Sequence, residues 1–68
     1  MTKKDYKKFA AMMGRELAYI SANSIPAVSE WDAIRTGMEV IFAEDNPGFD
    51  KRKFEEAIWE QKRLEEEK

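Results

Sequence analysis

Asn46-Pro47-Gly48-Phe49-Asp50-Lys51-Arg52-Lys53-Phe54 is the stretch that decides the fold. Pro47 fixes φ at the first central position of a turn and Gly48 suits a positive φ at the next, which predicts a type II turn. Asp50 then stands as a helix N-cap. Phe49 just before the cap and Phe54 at the fourth helical position have the spacing of a hydrophobic staple, which sets the angle at which the chain enters a helix. Phe54, Ala57, Ile58, Gln61 and Leu64 continue one apolar stripe, so a helix is expected over residues 51–64. Glu65-Glu66-Glu67-Lys68 reads as a frayed acidic tail.

Working back toward the N-terminus, a second punctuation point lies at Ser21-Ala22-Asn23-Ser24-Ile25-Pro26. Between the two turns, Ala27, Trp31, Ile34, Met38, Ile41 and Phe42 recur at helical spacing, which predicts a helix over residues 27–44 with that stripe inward. Pro26 suits its start, and Ser29 with Asp32 offers a cap. Ala33 and Val40 alone fall on the far side, too few to imply a second buried face. Ahead of the first turn, Tyr6, Phe9, Ala10, Met13, Leu17 and Ile20 form a third stripe over residues 3–21. Thr2 and Asp5 have the spacing of a capping box. Gly14 lowers helix propensity by ~1 kcal/mol relative to Ala, and its lack of a side chain permits a close approach by another helix. No β-branched run alternates with period two. The fold class is therefore all-α: three amphipathic helices in a small bundle, one domain spanning residues 1–68.

Composition bounds the chemistry. The 68 residues carry 12 Lys+Arg, 14 Asp+Glu, no His and no Cys, for a net charge of −2. Zinc, copper and iron–sulfur sites want imidazole or thiolate, and neither is present. A calcium loop from Asp45 to Glu56 fails because Pro47 and Phe49 have no side-chain oxygen and Asp50 stands where such a loop needs Gly. No cofactor or metal is expected. Catalysis lacks a His base and a Cys nucleophile, and Ser21, Ser24 and Ser29 sit where turns and caps use them. The chain is read as a non-enzyme. Its longest apolar runs fall well short of the ~20 residues that span a bilayer, so no membrane is expected and the compartment is read as cytoplasmic.

Charge is uneven along the chain. Residues 1–34 hold five cations and four carboxylates; residues 35–68 hold seven and ten. Lys51, Arg52 and Lys53 crowd the first turn of a helix, where the dipole disfavours cations. Two readings stand. Lys51 with Glu55 and Arg52 with Glu56 could pair locally at i,i+4, or the three cations could contact an anion. Trp59 lies roughly 100° off the stripe of its helix, beside Arg52, Lys62 and Arg63; an open Trp among charges is what interaction hot spots are made of. Met12 and Tyr19 form a second off-stripe pair. Six Glu between Glu55 and Glu67 would repel phosphates if this helix read DNA, so nucleic acid is not the expected partner.

Thr2-Lys3-Lys4-Asp5-Tyr6 at the start, and Asp45 through Phe54 followed by Ala57, resemble a group of small uncharacterised bacteriophage proteins. Those chains begin with a Thr-Lys/Arg-Lys-Asp-Tyr stretch and carry Asp-Asn-Pro-x-Phe-Asp, basic residues and a Phe. The likeness covers about a quarter of the chain, at its two ends, and the acidic tail departs from it. No activity is assigned to that group, so the resemblance implies a setting: a phage accessory protein acting in the cytoplasm of a bacterial host. The expected function is a non-enzymatic protein-interaction module binding a host or phage protein, or a second copy as a homodimer. The expected contact residues are Trp59 with Arg52, Lys62 and Arg63, and Met12 with Tyr19. The alternatives are an anti-defence inhibitor whose carboxylates mimic nucleic acid, and a small DNA-binding helical domain.

Overall fold

The computed structural model describes residues 1–68 as three α-helices: α1 (Lys3–Ala22), α2 (Val28–Asp45) and α3 (Lys51–Glu66). Short connections reverse the chain twice, so α1 and α3 run the same way and α2 runs against both. No helix is long and apolar enough to cross a membrane.

Local signals explain most helix ends. Thr2 Oγ1 accepts from the Asp5 N–H and the Asp5 carboxylate accepts from the Thr2 N–H, closing the expected capping box at α1. At the other end of α1, the Ile25 N–H donates to the Ile20 carbonyl at 3.0 Å and the Ser24 N–H donates to the Ser21 carbonyl at 3.3 Å. This is a Schellman motif in which Ser24, at φ 52°, takes the left-handed position that Gly usually fills. At α3, the Asp50 carboxylate accepts from the Lys53 N–H, and the Phe49 and Phe54 rings lie 5.6 Å apart, so cap and staple form together.

Two local expectations fail, and one helix runs longer than expected. Gly48 takes no positive φ, so the 46–49 turn is not type II. It closes through the Phe49 N–H to the Asn46 carbonyl, while Asn46 Oδ1 accepts from the Gly48 N–H, and that side-chain bond fixes the turn without a left-handed residue. Ser29 and Asp32 do not cap α2: its N-cap is Ala27, which has no side chain to offer, and Asp32 pairs instead with Arg35. Finally, α3 runs past residue 64 to Glu66. Gln61 bonds Glu65, Lys62 bonds Glu66, and Arg63 bonds both Glu60 and Glu67, linking neighbouring turns at this end.

The closest packing joins α1 to α3. Ala10, Gly14 and Ala18, four residues apart, are all buried. A Cβ built on Gly14 would sit 2.5 Å from the Ile58 carbonyl oxygen and 2.6 Å from Gln61 Cβ. That contact turns α1 toward its small residues. Phe9, expected inward, is left 37% exposed, and on α3 Leu64 is left 41% exposed. Ile58 fills the seam with no exposure at all.

Helix α2 covers this pair with aromatics. The Phe42 ring lies within 5.5 Å of Tyr6, Phe9, Phe49 and Phe54. Trp31 is buried, and its Nε1–H donates to the Met13 carbonyl at 2.9 Å. Tyr6 donates its hydroxyl to Asp45, which also binds the N-terminal ammonium and is held below the usual carboxylate range by that ammonium first and by Tyr6 second.

Polar residues complete the inward face of α2. Arg35 bonds Asp32, Glu39 and Glu55 at 2.7–2.8 Å, tying α2 to α3. The Glu39 side chain is only 6% exposed. Desolvation pushes its carboxyl above the usual range, the neighbouring Glu55 pushes the same way, and Arg35 opposes both. The stripe read from sequence is thereby rotated: Arg35 and Glu39 face inward, and Ile34 and Ile41, expected in the core, are each 58% exposed.

Two tests follow from the packing. Gly14→Ala should lower stability by about 1–3 kcal/mol, because overpacking against α3 exceeds the gain in helix propensity. Gly37→Ala, where a Cβ meets nothing within 4 Å, should raise stability by about 0.5–1 kcal/mol. The urea midpoints of the two variants should move in opposite directions. Arg35→Met leaves Glu39 buried without its counter-charge and should cost about 3 kcal/mol at neutral pH. The native state then binds a proton at Glu39 more tightly than the unfolded chain does. Stability of Arg35→Met should therefore rise, relative to wild type, as the pH is lowered from about 7 to 5.

Candidate functional site

A helix of this length in a small bundle normally hides its large apolar residues. Here α2 presents Ile34, Val40 and Ile41, at 58%, 54% and 58% exposure, with Ala33 and Gly37 also open. Advancing ~100° per residue, these five fall on one side of the helix, opposite Trp31, Arg35, Glu39 and Phe42. Glu30 and Glu44 lie on the same side at its two ends, and neither makes an ion pair. Gly37 sits in the middle, with open space where a side chain would stand. The result is an apolar strip along the outside of α2 with a carboxylate at each end.

The whole molecule shows the same excess of exposed surface. Its accessible area is 4910 Å². A compact monomer of this mass is expected to expose about 4450 Å². Contiguous exposed apolar surface of this kind marks sites where other molecules bind.

Trp59 is 57% exposed. One side of it faces Trp31, with ring centroids 6.5 Å apart, so it stands at the α2–α3 seam with its other side open. Arg52 and Arg63 share its outward face on α3. Arg52 is paired with Glu56, and Arg63 with Glu60 and Glu67. Lys62 is not brought to this face: its side chain is 19% exposed on the inner flank of α3 and pairs with Glu66. Met12 and Tyr19 are 41% and 61% exposed on the outside of α1, in line with Lys4, Lys8 and Arg15.

Because α1 and α3 are parallel, their basic first turns meet at one end of the bundle. Lys3, Lys7 and Lys53 rim a crevice of about 470 Å³ whose wall includes Tyr6, Phe49 and Phe54. The expected Lys51–Glu55 pair does not form, because Glu55 is taken by Arg35. Lys51 and Lys53 make no ion pair, while Arg52 pairs with Glu56 at 3.3 Å, both side chains well exposed.

The remaining carboxylates of α3 are occupied. Each Glu from Glu55 to Glu67 bonds a cation: Arg35, Arg52, Lys62, Arg63 or Lys68. Arg63 holds Glu60 below the usual carboxylate range, and Lys68, with Gln61, does the same for Glu65.

Sequence reasoning put Trp59, Met12 and Tyr19 off the inward stripes, and all three are exposed, but it placed Ile34 and Ile41 in the core. Asp32, Arg35 and Glu39, spaced three and four apart, were the signal for the rotation: a cation between two carboxylates can turn inward with its ion pairs made.

Single-tryptophan variants separate the two indoles. With Trp31→Phe, emission from Trp59 should lie to the red and be quenched readily by acrylamide. With Trp59→Phe, emission from Trp31 should lie to the blue and resist quenching. Equal quenching of the two would contradict this geometry.

No family model, no curated protein and no solved structure matches this chain.

Proposed function

We propose that this chain is a small non-enzymatic protein-interaction module, a phage accessory protein that binds a host or phage protein. The outward strip of α2 carries the reading: three large aliphatic side chains, each more than half exposed, on a helix whose other side is filled by aromatics and a buried ion cluster. Leaving them more than half exposed forgoes about 1–1.5 kcal/mol per side chain, roughly half of what full burial supplies. A partner helix or groove laid on the strip recovers it. Trp59 with Arg52 and Arg63 offers a second, smaller contact beyond the α2–α3 seam, and Met12 with Tyr19 a third on α1. The phage setting rests on the Thr2–Tyr6 and Asp45–Phe54 resemblance alone.

Acidic mimicry of nucleic acid asks for a row of free carboxylates. The α3 glutamates are bound to cations, so no observation favours that version. Direct DNA binding would have to use the basic end rather than α3, and nothing beyond the charge of that end supports it.

Immobilised wild-type protein should retain a distinct set of proteins from a bacterial lysate. Ile34→Ser/Ile41→Ser should lose most of that set, and Trp59→Ala should lose less. Identical retention by wild type and the double variant would remove the α2 strip as the binding face.

A further inference from the structure

We propose that the α2 strip seats a basic amphipathic helix of another protein. This deepens the interaction reading above, and rests on it, by naming the chemistry of the partner.

The shape of the strip points to a helix. Glu30, Ile34, Gly37, Ile41 and Glu44 are spaced four, three, four and three apart, the spacing of a helix–helix seam. Two hollows share Gly37 as a common wall. One is formed by Glu30, Ala33, Ile34 and Gly37; the other by Gly37, Val40, Ile41 and Glu44. Each is the four-residue hole that receives a single large side chain from a facing helix. Nothing stands within 4 Å of the missing Gly37 side chain, so a facing axis can come close at the centre. From Glu30 to Glu44 the strip is about 21 Å long, which fits a partner helix of about four turns carrying two large apolar residues seven positions apart.

Charge selects the partner. Helix α2 has five carboxylates, Glu30, Asp32, Glu39, Glu44 and Asp45, and one cation. That cation, Arg35, is turned inward and bound by Asp32, Glu39 and Glu55. The strip therefore offers carboxylates at both ends and no cation. A facing helix with Lys or Arg beside its apolar residues satisfies both ends. A second copy presenting its own α2 does not. Antiparallel about Gly37, Glu30 of one copy meets Glu44 of the other; parallel, each Glu meets itself. Phosphates of lipid headgroups or nucleic acid are repelled in the same way. The outside of α1 in a second copy, with Lys4, Lys8, Met12, Arg15 and Tyr19, is a basic apolar face, but docking it on α2 is head-to-tail and builds a ring or an open chain rather than a two-fold dimer, which sedimentation would show as mass above the monomer.

The probe is a fluorescein-labelled helical peptide of about five turns, with Leu along one face at the same spacing and Lys on both flanks. A counterpart carries Glu in place of Lys. Fluorescence anisotropy at moderate salt should show saturable binding of the Lys peptide to wild type and none of the Glu peptide. Ile34→Ser/Ile41→Ser, both exposed positions, should weaken binding by about tenfold or more. Val28→Ser, exposed but outside the strip, should leave it unchanged. Glu30→Lys/Glu44→Lys should reverse the preference to the Glu peptide. Circular dichroism checks that each variant keeps its helices. The proposal is overturned if the Lys peptide does not saturate, if the Ile34/Ile41 pair makes no difference, or if wild type sediments above monomer mass and the Ile variant restores the monomer. Lysate capture that depends on Ile34 and Ile41 while the Lys peptide fails would keep the interaction module and discard the basic helix.

Discussion

The approach of α1 to α3 at Gly14 is the constraint on which the rest of the structure depends. A backbone oxygen of α3 occupies the place where a side chain on α1 would stand. Only small residues permit this, and Ala10 and Ala18 extend the permission one turn either way. Once the two helices lie this close, little apolar volume is left between them, and Ile58 and Leu17 fill it. The larger side chains of α1 and α3, Tyr6, Met13 and Phe54, then turn toward the third helix. Helix α2 is accordingly held by rings, by the Trp31 and Tyr6 hydrogen bonds and by the Arg35–Glu55 ion pair rather than by interlocked aliphatic rows. Its isoleucines are surplus to that arrangement, which is why they face out.

The elements were legible because their signals are local. A capping box, an N-cap and a staple each involve residues within five positions of one another, and Thr2–Asp5, Asp50 and Phe49–Phe54 all form as their spacing implies. Rotation of a helix about its own axis is not local. On α2, two stripes were available: Ile34 and Ile41 with Trp31 and Phe42, or Arg35 and Glu39 with the same aromatics. Hydropathy favours the first. The second wins because Arg35 can satisfy Glu39 and Glu55 together, and a buried charge set with all its hydrogen bonds made is tolerated where an unmatched one is not. Glu55 comes from α3, 16 positions beyond Glu39 in sequence, and no window on α2 contains it. The candidate site was missed for the same reason, since the residues misassigned to the core are the residues that form the strip. The exposure of Trp59 was legible because its angle from the α3 stripe is fixed by Phe54 and Ile58 alone.

Charge is also partitioned by the fold in a way its sum of −2 hides. On α3, cations and carboxylates sit three and four apart and neutralise one another. On α1, the cations Lys3, Lys4, Lys7, Lys8 and Arg15 form no ion pair, and on the outside of α2 the carboxylates Glu30 and Glu44 form none either. One helix is self-neutral, one is basic and one is acidic, and each outward face is thus chemically distinct.

The start of α2 lacks a side-chain cap, whereas its end is tied through Asp45 to Tyr6. Within α2, the amides of Val28, Ser29 and Glu30 therefore exchange with solvent more freely than those beside Asp45, and opening from that end is first checked at Trp31, where the indole holds the Met13 carbonyl. The two halves of the strip differ accordingly. Val40 and Ile41 lie toward the end tied through Phe42 and Asp45 and offer a ready-made surface with less ordering entropy to lose. Glu30 and Ala33 lie toward the uncapped end, where fewer bonds resist adjustment to an incoming side chain. A ligand would engage the first half as a lock and mould the second.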